Sequence, residues 1–333
     1  MIKLTLNKIV AGMMLAVTFS SPVVQAQDSP YVVIGKDGWL FTKYEFATPA
    51  DATDTNVTIG LLEKTSKLFE RSGIALALVI VPSKIRIYSD KLPDNKPLDA
   101  YTDGKYEEIY KTMRESGVHV VNLNQVFLNS PKRDSDTPLF LHQDTHWAAT
   151  GALLAAETIK KEIDNTPVLA TALQAVPEEK FALTWGNKKV MSRARDLVKQ
   201  LPAGAPVFKP EQTMLYKVVK ESKSQAGLLS EGDKVAITVI GSSYTNKNTG
   251  YPDGLRYTLQ RNLLDISIPV DQGPWVGMEA YLKDDAFKTN KPKLIIWEIP
   301  EREFRSPPNY KFRDARYISD NNDWLARITN LLH

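Results

Sequence analysis

Ile74-Ala75-Leu76-Ala77-Leu78-Val79-Ile80-Val81 is an unbroken apolar run of strand length, with no polar residue on either alternating face. A strand with one wet face alternates polar and apolar residues, so this run fits a strand buried on both sides, as in a parallel sheet covered by helices. The flanking sequence agrees. Leu61 to Arg71 has helical spacing, Ser72-Gly73 ends it, and Pro82-Ser83-Lys84 closes the run at its far end. Further on, Tyr101 to Ser116 predicts a helix stopped by Gly117, and Val118 to Leu123 a second strand. Trp147 to Ile163 predicts an Ala-rich helix, and Val235 to Ile240 and Leu294 to Ile299 complete four apolar strand candidates. Strands alternating with helices argue for an α/β fold, doubly wound around a mainly parallel sheet flanked by helices.

Outside this alternation, Tyr31 to Ile34 and Trp39 to Phe41 read as a hairpin around the turn Gly35-Lys36-Asp37-Gly38. From 165 to 232 the periodicity weakens, and prolines and lysines accumulate. This stretch is expected to be an inserted excursion, with a helix near Lys188 to Gln200, a strand pair near Met214 to Val219 and an exposed turn at Glu221 to Gly227. Strand candidates lie on both sides of it, which favours one domain with an insertion over two.

Residues 1–26 have the form of a cleaved secretory signal. Lys3 and Lys8 precede the apolar run Ile9 to Phe19, and Val24-Gln25-Ala26 supplies small residues for cleavage. A membrane anchor is the competing reading, but the run is far shorter than the ~20 residues that span a bilayer. The expected mature chain, 27–333, therefore works outside the cytoplasm. The full chain holds 42 basic and 39 acidic residues; loss of Lys3 and Lys8 leaves it close to neutral. That balance argues against nucleic acid as a partner. There is no cysteine, which excludes a thiol nucleophile, a disulfide framework and a thiolate metal site.

Two stretches carry chemistry. In Leu141-His142-Gln143-Asp144-Thr145-His146-Trp147, Asp144 and His146 are separated by one residue, so their side chains can meet in a loop. A carboxylate that fixes an imidazole tautomer frees the other ring nitrogen to take a proton. Roughly a hundred residues later, Val239-Ile240-Gly241-Ser242-Ser243-Tyr244 puts two hydroxyls at the end of a strand candidate, where catalytic groups collect in open α/β sheets. Ser243 as nucleophile, His146 as base and Asp144 as orienting acid would suit acyl transfer. Ser242 is a rival nucleophile, and both serines also suit a plain cap. Thr245 stands where a Gly-x-Ser-x-Gly elbow has its second glycine. A zinc site built from His142, Asp144 and His146 is a further alternative.

Gly35-Lys36-Asp37-Gly38-Trp39-Leu40-Phe41, Val81-Pro82-Ser83-Lys84, Asp144-Thr145-His146-Trp147, Gly241-Ser242-Ser243-Tyr244 and Trp297-Glu298-Ile299-Pro300-Glu301-Arg302 occur in this order. They resemble the successive motifs of the alginate O-acetyltransferase family, the AlgJ- and AlgX-like proteins of the SGNH hydrolase type, from about Tyr31 to Phe304. The resemblance implies an SGNH-hydrolase-like fold and a periplasmic enzyme that moves acetyl groups onto hydroxyls of an exported polysaccharide. It further implies a membrane-bound O-acyltransferase as acetyl source, partners in a periplasmic export complex and no cofactor. In that family Asp and His precede the nucleophilic Ser, as here, which matches Asp144 to the acid, His146 to the base and Ser243 to the nucleophile. Ser242 stands where relatives carry Asp or Thr. Some relatives carry a C-terminal carbohydrate-binding module; none is expected here.

Aromatics and cations are the candidates for substrate contacts. Trp147, Tyr244, Tyr251, Tyr257 and Trp275 could stack on sugar rings, although a single aromatic is more often core. Lys84, Arg256 and Arg302 could receive uronate carboxylates or a donor, Arg302 foremost because it follows a strand end within a family-like motif. His119 reads as a core histidine and His333 is terminal. Two other functions remain open from sequence: a carbohydrate or peptidoglycan acetylesterase, which needs the same three residues, and a non-catalytic scaffold for polysaccharide export.

Overall fold

The computed structural model describes residues 29–221, 235–269 and 272–333. The expected signal 1–26 and nearly all of the expected turn at Glu221 to Gly227 lie outside the described residues. Five parallel strands form the central sheet: β1 Ala75–Val81, β2 Val120–Asn122, β3 Ile237–Gly241, β4 Leu264–Ser267 and β5 Leu294–Pro300, in the order β4-β3-β5-β1-β2. In the middle, β5 and β1 run in full register from Leu294 opposite Ala75 to Pro300 opposite Val81, and every residue of both is buried.

The long helices are α1 Ala52–Arg71, α2 Ala100–Glu115, α3 Ala149–Asn165, α4 Tyr251–Leu259, α5 Gly273–Lys283 and α6 Asn321–Leu332. Alternate residues of β1 divide between two cores. Ala75, Ala77, Val79 and Val81 join Ala152, Ala155, Ala156 and Ile159 of α3 and Leu255 and Leu259 of α4. Leu76, Leu78 and Ile80 join residues of α1, α2, α5 and α6, including Phe69, Ile109, Met278 and Ile328. Both sheet faces are thus covered by helices, which is the physical reason the run at 74–81 contains no polar residue. No helix among the described residues is long and apolar enough to cross a membrane.

The structure corrects three expectations. The sheet has a fifth strand, β4, a four-residue edge strand that is only half-buried and so lacks an apolar run. The helix near Lys188 to Gln200 shrinks to one turn, Asp196–Lys199. Val190–Met191 instead forms a short strand paired with Gln212–Thr213. Near Met214 to Val219 there is one strand, Tyr216–Lys220, whose partner is Phe181–Trp185 rather than a neighbour in sequence. In each case pairing with distant residues outweighs local helix or hairpin preference. The helix Pro167–Gln174 still packs Leu169 and Leu173 into the core, so the excursion proper starts after it.

Candidate active site

The site lies beyond the C-terminal ends of β3, β5 and β1. At the end of β3 the chain turns at Gly241 and Ser242 into a 3-10 turn, Ser243–Thr245. A shelf under this turn is provided by Glu298 of β5, which is fully buried. The Ser242 N–H donates to Glu298 Oε2 at 2.8 Å, the Ser242 hydroxyl to both carboxylate oxygens at 3.0 Å, and the Thr245 hydroxyl to Oε2 at 3.0 Å. Residue 241 must be glycine for this approach: a Cβ there would lie 2.1 Å from Thr245 Oγ1 and 2.4 Å from Glu298 Oε2. Ser242 is therefore turned inward, and Ser243 is the hydroxyl left facing the open side.

The acid–base loop is closed by an antiparallel bridge between Phe140 and Trp147. His142 and Gln143 donate their N–H groups to the Glu211 carboxylate, both at 2.9 Å, and Thr145 donates its N–H to Asp196 at 2.8 Å. Beneath the loop, the buried Lys84 ammonium donates to the carbonyls of Leu40, His142 and Asp144 at 2.7, 3.0 and 3.0 Å. Tyr244, next to Ser243, donates its hydroxyl to the Thr145 carbonyl at 2.6 Å. The loop and the Ser243 turn are thereby fixed to one another.

Across this frame His146 Nε2 lies 2.7 Å from Ser243 Oγ, and His146 Nδ1 lies 2.6 Å from Asp144 Oδ1. Asp144 Oδ1 also accepts the His146 N–H at 3.1 Å, and Oδ2 accepts the Asp196 N–H at 2.9 Å. Burial works against the Asp144 charge, but the bond to His146, its charge and these two N–H groups hold the carboxyl well below its usual range. An ionised Asp144 assigns the imidazole proton to Nδ1, leaving Nε2 as acceptor for the Ser243 hydroxyl. Asp196 is pushed the other way, by burial and by the charge of Asp144.

These groups open onto a cleft of about 780 Å³ lined by Asp144, His146, Ser243, Asn246 and Asn248 together with Met191, Ser192, Arg193 and Leu215 of the excursion. Trp147 borders the cleft, but it and Tyr244 are buried, packed edge-on with ring centroids 5.1 Å apart, so neither presents an open ring face. Tyr251 is buried against Trp147, and Trp275 donates its indole N–H to Ser306 deep in the other core. Tyr257 does not line the cleft.

The three expected cations are committed elsewhere. Lys84 uses its three donors on backbone carbonyls, and burial pushes its ammonium down to about 8. Arg302 lies half-buried over the Tyr244 ring at 5.6 Å, beside the Glu45 carboxylate at 3.6 Å. Arg256 is paired with Asp253 at 2.9 Å and Asp265 at 2.5 Å. The alternative zinc set does not assemble either. His142 stacks on Trp39 with centroids 4.1 Å apart, and burial and the charge of Lys84 push its imidazole down to about 4. Asp144 and His146 gather instead with Asp196, within 4.8 Å of one another, and each of these groups is already hydrogen-bonded.

Sequence reasoning missed Glu298, Glu211 and Asp196. Glu298 had a signal, a lone carboxylate inside the apolar run Leu294 to Ile299. The other two sit in the excursion, where nothing local marks them.

The match to a family model for the SGNH hydrolase-like domain of acetyltransferase AlgX covers residues 32–301. Among curated proteins, the chain is 30% identical to the probable alginate O-acetylase AlgJ of Pseudomonas fluorescens, over 90% of this chain and 73% of that protein. It is 28% identical to AlgJ of Pseudomonas aeruginosa, over 90% of this chain and 75% of that one. In fold it is similar to the O-acetyltransferase domain of Pseudomonas putida AlgJ, with a TM-score of 0.73, 24% identity, and coverage of 90% of this chain and 99% of that domain. With the matched segment spanning the whole sheet and the Asp144, His146 and Ser243 loops, the chain belongs to the AlgX family of SGNH hydrolase-like acetyltransferases.

Proposed function

We propose that the protein is a periplasmic O-acetyltransferase that places acetyl groups on hydroxyls of an exported polysaccharide, alginate or a similar exopolysaccharide, through an acetyl-Ser243 intermediate. The observation that carries this reading is the hydrogen-bond chain Asp144–His146–Ser243 at the floor of an open cleft. The Ser243 Oγ–H passes its proton to His146 Nε2 as the oxygen attacks the acetyl carbonyl of the donor. Nδ1–H stays bonded to Asp144, whose negative charge stabilises the imidazolium. In this reading the N–H of Ser243, first in its 3-10 turn, meets the developing oxyanion. His146 returns the proton to the donor's leaving group. A sugar hydroxyl then enters the cleft, gives its proton to Nε2 and attacks acetyl-Ser243; collapse releases the acetylated sugar and restores the serine.

The donor in this reading is a membrane-bound O-acyltransferase that passes acetyl outward, within a polysaccharide export complex. The form of residues 1–26 and the names of the AlgJ relatives support the location and the acceptor. The test is incubation with a chromogenic acetyl ester, with and without alginate oligosaccharides, followed by mass spectrometry of protein and sugar. Acetyl on Ser243 and on the sugar, with Ser243→Ala reduced about a thousandfold or more, is the expected result. Serine-dependent release to water alone would replace this reading with an acetylesterase. No serine-dependent reaction would replace it with a non-catalytic export protein.

A further inference from the structure

Lys84, Arg256 and Arg302 are committed to internal partners, which leaves a different cation at the cleft. Arg193 is exposed and lines the same cavity as Asp144, His146 and Ser243, and it has no hydrogen-bond or ion-pair partner among the described residues. Its backbone is pinned on both sides. The Ser192 N–H donates to the Glu211 carbonyl at 2.9 Å, Arg195 Nε to Gln143 Oε1 at 2.9 Å, and the Asp196 N–H to Asp144 at 2.9 Å. Three residues span at most about 11 Å, so Arg193 is tethered within that distance of the group that holds the catalytic acid.

The surroundings of Arg193 suit a sugar that is apolar on one face and anionic at one edge. Met191 and Leu215 are 56% and 47% exposed and line the same cleft, as do Asn246 and Asn248. The one carboxylate in the lining, Asp144, is buried and already bonded to His146 and Asp196, so it does not pair with Arg193.

We propose that Arg193 reads the charge of the acceptor: its guanidinium receives the carboxylate of a uronic acid residue while Met191 and Leu215 take the C–H face of the ring, presenting a hydroxyl to acetyl-Ser243. This assignment rests on the acetyl-transfer reading of the site, and names the residue that selects an anionic over a neutral polymer. A planar fork fits a carboxylate with two parallel hydrogen bonds, and no described residue occupies the donors of Arg193.

Binding separates this claim from the chemistry. Calorimetric titration of the full protein with an oligouronate and with a neutral cello-oligosaccharide of equal length should show preference for the uronate. Arg193→Gln should weaken uronate binding about tenfold or more, Arg193→Lys should restore part of it, and neither should alter binding of the neutral sugar. Equal binding of both sugars, or an Arg193→Gln variant that binds the uronate as tightly as the parent, would overturn the proposal. A uronate preference that depends on Arg193 without Ser243-dependent acetyl transfer would overturn the transferase reading and leave the charge-reading site standing.

Discussion

Ser242 and Ser243 are adjacent hydroxyls with opposite tasks. Ser242 spends its N–H and its hydroxyl on Glu298, while Ser243 points to His146 at 2.7 Å. A serine-directed sulfonyl reagent should therefore label the Ser242→Ala variant and leave Ser243→Ala unlabelled. Ser242→Ala also removes a hydrogen bond from a buried carboxylate, which costs about 1–3 kcal/mol in chemical denaturation. Labelling that survived Ser243→Ala and vanished in Ser242→Ala would exchange the two roles. Residues of this kind were partly legible beforehand. Asp144, His146 and Ser243 could be singled out because each stands in a short stretch whose residue types match a chemical task. The sugar-contact assignments were not legible, because a lysine or tryptophan reads the same in sequence whether its side chain ends in solvent or on a buried carbonyl. Lys84 and Trp147 both turned inward.

At the scale of elements, the excursion holds the acid–base loop in place. Glu211 and Asp196 together take the N–H groups of His142, Gln143 and Thr145, and the Asp196 N–H takes the second oxygen of Asp144. Glu211→Ala should thus lower turnover by about 10–100-fold, with a smaller effect on the KM of the acetyl ester, because a loop freed by even 1 Å no longer aligns Nε2 with the serine. Loss of stability without change in the turnover of the folded fraction would reduce Glu211 to a structural strut. The same elements show why legibility stopped where it did. Two-sided burial writes itself into an apolar run, as in β1 and β5, so the central sheet could be found from sequence. The edge strand β4 has no such run, and the short strands of the excursion exist through pairing with each other, not through local pattern.

In the whole molecule, the apolar cores lie against the two faces of the sheet, and buried ionisable groups gather beyond the C-terminal ends of its strands: Glu45, Lys84, Glu298 and Glu301. Folding therefore carries a pH dependence that a single substitution can expose. Burial pushes the Glu298 carboxyl up to about 7 despite the bonds from Ser242 and Thr245 that favour its charge. In the unfolded chain a glutamate titrates near 4.3. Between those values the folded protein holds a proton that the unfolded chain has lost, so unfolding releases it, and this group's contribution to stability falls as pH rises and levels off above about 7. The contribution lost is of the order of 3 kcal/mol. Glu298→Gln keeps the size of the side chain and removes the titration. Other groups, including Asp144, which titrates in the opposite sense, contribute equally to parent and variant and cancel in the comparison. Denaturation of the two proteins at several pH values from 4 to 8 should therefore show the parent losing stability relative to the variant across that range, by roughly that amount. Parallel curves would mean that Glu298 stays ionised in the folded protein, and that the three donors around it, not burial, set its charge.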